Sequence, residues 1–137
     1  MEFPLFTSVH LVKGEDLNHH GTLYAGRTAE WFVESGFIAA ASMTKPEHIV
    51  CLKIHGMTFS RPIRKGELPV FTSRVVLTGE TKIVCLIEVR VLGKLAVRGF
   101  ITFIHVDLDG KPQPHGLHFE PKNDEEKALF AEAEALQ

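Results

Sequence analysis

Four long apolar runs dominate the second half of this chain: Ile49 to Ser60, Leu68 to Thr78, Thr81 to Leu92 and Lys94 to Val106. All four are rich in Val, Ile, Thr and Phe, which suit a pleated, half-buried surface. The breaks between them, Pro62 to Gly66, Gly79-Glu80 and Gly93, read as hairpin-type turns and predict an antiparallel meander. Strands of this length must twist and curl around whatever they cover.

What they cover lies upstream. Leu23 to Ser42 predicts a helix on which Ala29, Phe32, Val33, Gly36, Phe37 and Ala40 recur at three- and four-residue spacing, while Arg27, Glu30 and Glu34 line another face. Gly36, Ala39, Ala40 and Ala41 let a sheet approach the helix backbone. That closeness offsets the roughly 1 kcal/mol a mid-helix glycine costs against alanine. Leu5 to Val12 reads as a first strand, followed by the polar loop Lys13-Gly14-Glu15-Asp16. One buried helix and a set of long antiparallel strands make an α+β fold, expected over residues 1–110.

Asp107-Leu108-Asp109-Gly110 ends the last strand as a turn; its two carboxylates lack the remaining ligands of a calcium loop. Pro112, Pro114 and Pro121 make residues 111–122 an extended connector, and residues 123–137 read as a C-terminal surface helix of the same domain. Asn123 is its expected N-cap, with acids in the first turn.

With 137 residues, 45% of them hydrophobic, there is material for one core and not for two. Fifteen basic against 17 acidic residues, a net charge of −2, exclude a general electrostatic nucleic-acid surface. No stretch reaches the roughly eighteen uninterrupted apolar residues of a membrane span, and the N-terminus carries no leader pattern. Cys51 and Cys85 sit in apolar runs and read as small buried hydrophobes. Together these features lead to the expectation of a cytoplasmic protein with no membrane partner.

The polar segment Asn18-His19-His20-Gly21-Thr22-Leu23-Tyr24-Ala25-Gly26 leads directly into the helix. A helix start offers unpaired backbone N–H groups and partial positive charge, so it can hold an anionic oxygen or the developing charge of an attacked carbonyl. Glu34, two turns on, either reaches the same space or is a solvated residue, paired with Arg27. His19 and His20 are either an acid or base or a device that closes the loop. A pair of adjacent histidines has no metal-ligand spacing, with or without His10 or His55, so no metal is expected. The chain contains no Gly-x-Ser-x-Gly elbow and no cysteine in a polar loop beside a histidine.

The segment NHHGTLYAGRTAEWFVES resembles the loop and helix start of hotdog-fold acyl-CoA thioesterases, whose usual form reads close to NHHGTLFGGRLLEWMDE. FSRPIRKGE, from Phe59 to Glu67, resembles their strand end and turn, and the Gly79 to Thr81 turn falls where theirs does, so the likeness spans roughly residues 5 to 110. It implies a hotdog fold, a long central helix wrapped by a curled antiparallel sheet. It also implies thioester hydrolysis by carboxylate-mediated attack of water. The position seven after their second glycine is usually an aspartate acting as base or nucleophile. Val33 stands there, and Ala25 replaces the first glycine while Gly26 remains.

The catalytic set this resemblance implies is Asn18, His19, His20, the backbone N–H of Gly26 or its neighbour, and Glu34 as the nearest helix carboxylate. One helical step turns a side chain by about 100°, so Glu34 does not inherit the direction of the replaced aspartate. Arg61, Arg64 and Lys65 suit the phosphates of coenzyme A, carried by the substrate, and no separate cofactor is expected. A homodimer with shared sites, stacked further into a tetramer or hexamer, follows from the same likeness. Substitution by Val33 keeps two alternatives open: a hotdog lyase or hydratase of the 3-aminobutyryl-CoA ammonia-lyase kind, which leaves the thioester intact, and a non-catalytic acyl-CoA-binding domain.

Overall fold

The computed structural model describes residues 2–137; Met1, where the expected domain begins, lies outside them. The elements in chain order are β1 (Phe6–Val9), α1 (Ala25–Ala41), β2 (Ile49–Phe59), β3 (Val70–Thr78), β4 (Lys82–Val91), β5 (Lys94–His105) and α2 (Asp124–Ala135). One antiparallel sheet runs in the order β1-β3-β4-β5-β2. α1 lies along one face of this curled sheet, which is the hotdog arrangement.

The inward face of α1 is Thr28, Phe32, Ser35, Gly36, Ala39, Ala40 and Ala41. Ala29, Val33 and Phe37, expected at its centre, are half-buried along one flank, because the sheet is centred under Phe32 and Gly36. A Cβ on Gly36 would meet Ile87 Cδ1 at 3.0 Å and Ile101 Cδ1 at 3.3 Å, so the small residue sets how closely helix and sheet approach. Phe32 is fully buried against Gly99, where any Cβ would strike the Gly56 carbonyl of β2.

The meander holds for β3, β4 and β5 but not for β2. Pro62 to Gly66 is not a hairpin: β2 pairs only with β5, at the far edge, while β3 lies between β1 and β4. Proline cannot donate to a ladder, and Ile63 beside it is buried, so the segment leaves the sheet and crosses to the helix start. There Leu23 N–H donates to Ile63 O at 2.7 Å and Gly66 N–H to Val12 O at 2.8 Å.

β1 is shorter than Leu5 to Val12, yet His10 and Val12 N–H still donate to Pro69 and Glu67 carbonyls beyond its end. The edge position of β2 corrects the reading of Cys51, which is exposed on that strand. Cys85, in the central β4, is buried, and burial pushes its thiol pKa up.

Residues 111–122 run extended along the end of the sheet. The His115 ring donates through Nε2 to Lys82 O (3.0 Å) and accepts the Leu117 N–H at Nδ1 (2.8 Å); Phe119 N–H donates to Thr78 Oγ1. Asn123 caps α2, its Oδ1 accepting from Glu126 N–H at 2.8 Å. α2 covers the other face of the sheet, with Ala133, Leu129 and Phe130 against Val76, Leu86 and Phe100.

Candidate functional site

The two stretches singled out in the sequence meet in space. The loop before α1 folds back on itself through a Leu17–Leu23 bridge, and Thr22 pairs with Arg64 in an antiparallel bridge. Between loop and crossover opens a cleft of about 340 Å³, lined by Asn18, Ala25, Thr28, Phe59, Arg61 and Ile63 among others.

Asn18 builds the loop as well as facing the cleft. Its Oδ1 accepts from the His20 N–H (2.9 Å) and Thr22 N–H (3.2 Å), and its Nδ2 donates to Thr22 Oγ1 at 3.1 Å. Asn side chains favour such local bonds, and Gly21 supplies the positive φ of +79° that closes the turn. One Nδ2 hydrogen remains for a molecule in the cleft.

The helix start supplies the second donor. Tyr24 occupies the N-cap without a side-chain cap, and its carbonyl receives the Arg27 and Thr28 N–H groups, each at 3.0 Å. The N–H groups of Ala25 and Gly26 have no protein partner among the described residues. Ala25, not Gly26, lines the cleft. At Gly26 a Cβ would strike the Tyr24 ring, so that glycine gives room for the tyrosine folded over the first turn.

A residue of the polar loop Lys13-Gly14-Glu15-Asp16 holds this corner together. Asp16 is only 3% exposed; its Oδ1 lies 3.1 Å from Arg27 Nε, and its Oδ2 accepts the Lys13 N–H at 2.8 Å. Arg27 also pairs with Glu30, so the expected Arg27–Glu34 pair does not form. No local pattern marks Asp16. Thr28, absent from the expected set, does carry a signal, because its spacing of four from Phe32 puts it on the buried face.

The remaining expected residues are elsewhere. His19 and His20 are exposed with rings 3.9 Å apart, and it is the His20 backbone, not either ring, that closes the loop. Glu34 is exposed on α1, outside the cleft, in line with Glu30 and Ile38. Val33 packs against the core. Arg61 alone of the three expected cations lines the cleft; Arg64 and Lys65 lie further along the crossover, the lysine amine beside Gly14.

In one chain, then, two residues with a free donor line the cleft, Asn18 with its amide and Ala25 with its unpaired N–H at the positive end of a helix, groups of the kind that polarise a carbonyl oxygen. The cleft lining holds no carboxylate, and that of Asp16, outside it, is held by Arg27 and the Lys13 N–H. A complete hydrolytic site therefore needs a base from outside this cleft.

A model of the thioesterase superfamily matches residues 20–96. The acyl-CoA thioester hydrolase YciA of Salmonella typhimurium is 31% identical over 111 residues, covering 72% of this chain and 80% of that protein. The cytosolic acyl coenzyme A thioester hydrolase of Mus musculus is 27% identical over 136 residues, covering 90% of this chain and 34% of its own length. An apo-hexameric acyl-CoA thioesterase superposes with a TM-score of 0.85 at 26% identity, over 96% of this chain and 87% of that one.

Proposed function

The chain belongs to the thioesterase superfamily, and on that premise we propose that it hydrolyses acyl-CoA thioesters to free coenzyme A and a carboxylic acid. The observation that carries this reading is that Asn18, with a free amide hydrogen, and Ala25, with an unpaired N–H, line one cleft beside Arg61. Attack of water on a thioester carbonyl develops negative charge on its oxygen, and two preorganised donors are what that charge requires. The substrate carries its own coenzyme A, and no further cofactor enters the proposal.

The proposal includes a homodimer whose β2 strands meet edge to edge. β2 carries Val50, Leu52 and Ile54 at 45%, 64% and 43% exposure, an apolar free edge of the kind proteins otherwise protect. The apo-hexameric relative supports assembly of this kind. Glu34 and the exposed Ile38 lie on the flank of α1, and a second copy brings Glu34 to the partner's cleft as the base that the single chain lacks. A cytoplasmic setting belongs to the same proposal, supported by the cytosolic mouse relative and by the lack, among the described residues, of any helix long and apolar enough to cross a membrane.

The test is thiol release from short, medium, long and aromatic acyl-CoAs, with wild type beside Glu34→Gln. Turnover that falls at least about a hundredfold in Glu34→Gln supports the shared carboxylate, the range of a lost general base. Equal rates remove Glu34 from the mechanism. Because Val33 occupies the position where the family usually has aspartate, the competing reading is acyl-CoA binding without cleavage; saturable binding with no thiol release from any substrate establishes it.

A further inference from the structure

The cleft at Asn18 does not end at Arg61. A second hollow of about 140 Å³ shares Arg61 and Pro62 with it and is walled by Lys94, Glu67 and Leu92. A third, about 240 Å³, shares Glu67, Val91 and Leu92 with the second and adds Leu68. The Ser60 N–H bond to Ala96 O at 2.8 Å holds the Arg61 segment against the start of β5, so this continuity is built into the backbone.

Resting on the reading above, we propose that this groove is the binding track for the nucleotide half of the substrate: Arg61 and Lys94 hold the phosphates, and Leu68, Val91 and Leu92 form the platform for the purine. The order of chemistry along the groove matches that of an acyl-CoA. Carbonyl-polarising donors come first, then two cations, then an apolar surface.

The charges at the neck support this order. Neither Arg61 nor Lys94 is paired with an acid among the described residues. The one carboxylate there, Glu67, is turned to its own loop, with Oε1 accepting the Arg64 N–H at 2.6 Å. Two free cations against one engaged acid leave the neck positive, and phosphate is the group that such a pair recognises.

The platform rests on a separate observation. Leu92 and Gly93 form the tight turn between β4 and β5, and Leu92 adopts a φ of +52°, where a turn of this kind favours Asn or Asp. Its side chain is 92% exposed, so within its own chain this leucine gains no burial in return for an unfavourable backbone. A flat aromatic ring laid across Leu68, Val91 and Leu92 supplies that burial.

The experiment compares kcat/KM for one acyl group carried on coenzyme A and on pantetheine, which lacks the phosphates and the adenosine, in wild type, Lys94→Ala and Leu92→Asn. Asparagine suits the positive φ, so the second variant keeps the hairpin. Each variant is expected to lower the preference for the coenzyme A thioester about tenfold, through KM, the size of one charge-assisted or stacking contact. An unchanged preference in both variants overturns the groove while leaving the hydrolase reading intact. Calorimetric binding of free coenzyme A separates the two readings in the other direction. Affinity that falls in the variants of a protein that cleaves no thioester supports the groove and removes the hydrolase, whereas a wild type that does not bind coenzyme A overturns the groove.

Discussion

Asp16 and Arg27 are joined across the corner between loop and helix, Oδ1 to Nε at 3.1 Å, with the aspartate side chain 4% exposed and the arginine 35%. The pair joins the loop before Asn18 to the first turn of α1, and so helps set Asn18 and Ala25 on the same cleft. Asp16→Ala leaves Arg27 half-buried and the Lys13 N–H without its acceptor. We expect a loss of about 2 kcal/mol in urea unfolding, below the 3–5 of a fully buried pair because Arg27 is partly solvated. Turnover should fall further than the population of unfolded protein accounts for.

Asn18→Asp separates building the loop from the chemistry. The carboxylate keeps the oxygen that accepts from His20 and Thr22 N–H, but loses the amide hydrogen that faces the cleft. The melting temperature should move by no more than a few degrees, about 1 kcal/mol, while thiol release falls roughly a hundredfold, as for loss of one carbonyl-stabilising donor. Equal activity in Asn18→Asp and wild type excludes the amide from the reaction.

His55 sets an acid limit on stability. Its Nε2 bonds Thr102 Oγ1 at 2.7 Å, and burial first, then the charges of Lys53 and Lys82, hold its pKa below the ordinary 6.5. A depressed pKa means that the folded chain favours neutral imidazole. The contribution is complete above pH 6.5 and is lost as the pH falls through the lower, folded value. Denaturant midpoints measured from pH 7.5 down to 5 should drop for wild type and drop less for His55→Gln. Parallel curves reject this assignment.

α2 is clasped to the sheet by a two-pronged pair, Arg98 Nη1 to Glu132 Oε2 at 2.7 Å and Nη2 to Oε1 at 2.9 Å. Hydrogen bonding from Arg98 lowers the Glu132 pKa below 4.5, so the coupling is present above that pH and disappears on acidification. Glu132 is nearly half exposed, which limits the pair to about 1 kcal/mol in a double-mutant cycle at pH 7. The same cycle at pH 3 should return a smaller value than at pH 7.

Leu52→Glu places a charge on each approaching β2 edge. Light scattering should show the assembly of the wild type and a single-chain mass for the variant, with helical circular dichroism retained because Leu52 touches no core of its own chain. An assembly unaffected by Leu52→Glu places the interface elsewhere.

The elements of this fold were legible because their signals are local. Period-three and period-four spacing over Leu23 to Ser42 marked α1, apolar runs rich in Val, Ile, Thr and Phe marked β2 to β5, and Gly93 marked the turn after β4, although Leu92, expected as the end of that strand, belongs to the turn. The glycine turn at Gly21 was equally readable, whereas Asn18, expected as a catalytic residue, proved also to build the loop by bonding backbone groups two and four residues on. The sequence by itself thus determined which segments are helix or strand, where the chain turns, and that a polar loop is delivered to a helix start.

Strand order and proximity across the chain are of another kind. A proline-glycine break looks alike whether it closes a hairpin or opens a crossover, and only the competition of β3 and β2 for the flanks of β4 and β5 put β2, with Cys51 and Leu52, on the exposed edge. Only the tertiary structure decided that Arg61 lines the cleft while Arg64 and Lys65 do not, that Ala25 and not Gly26 lines it, that Arg27 answers Asp16 rather than Glu34, and that Lys94 and Arg61 line one hollow. Each of these depends on the packed positions of residues far apart in sequence, set by the burial of a whole core, and no short window of sequence holds that information.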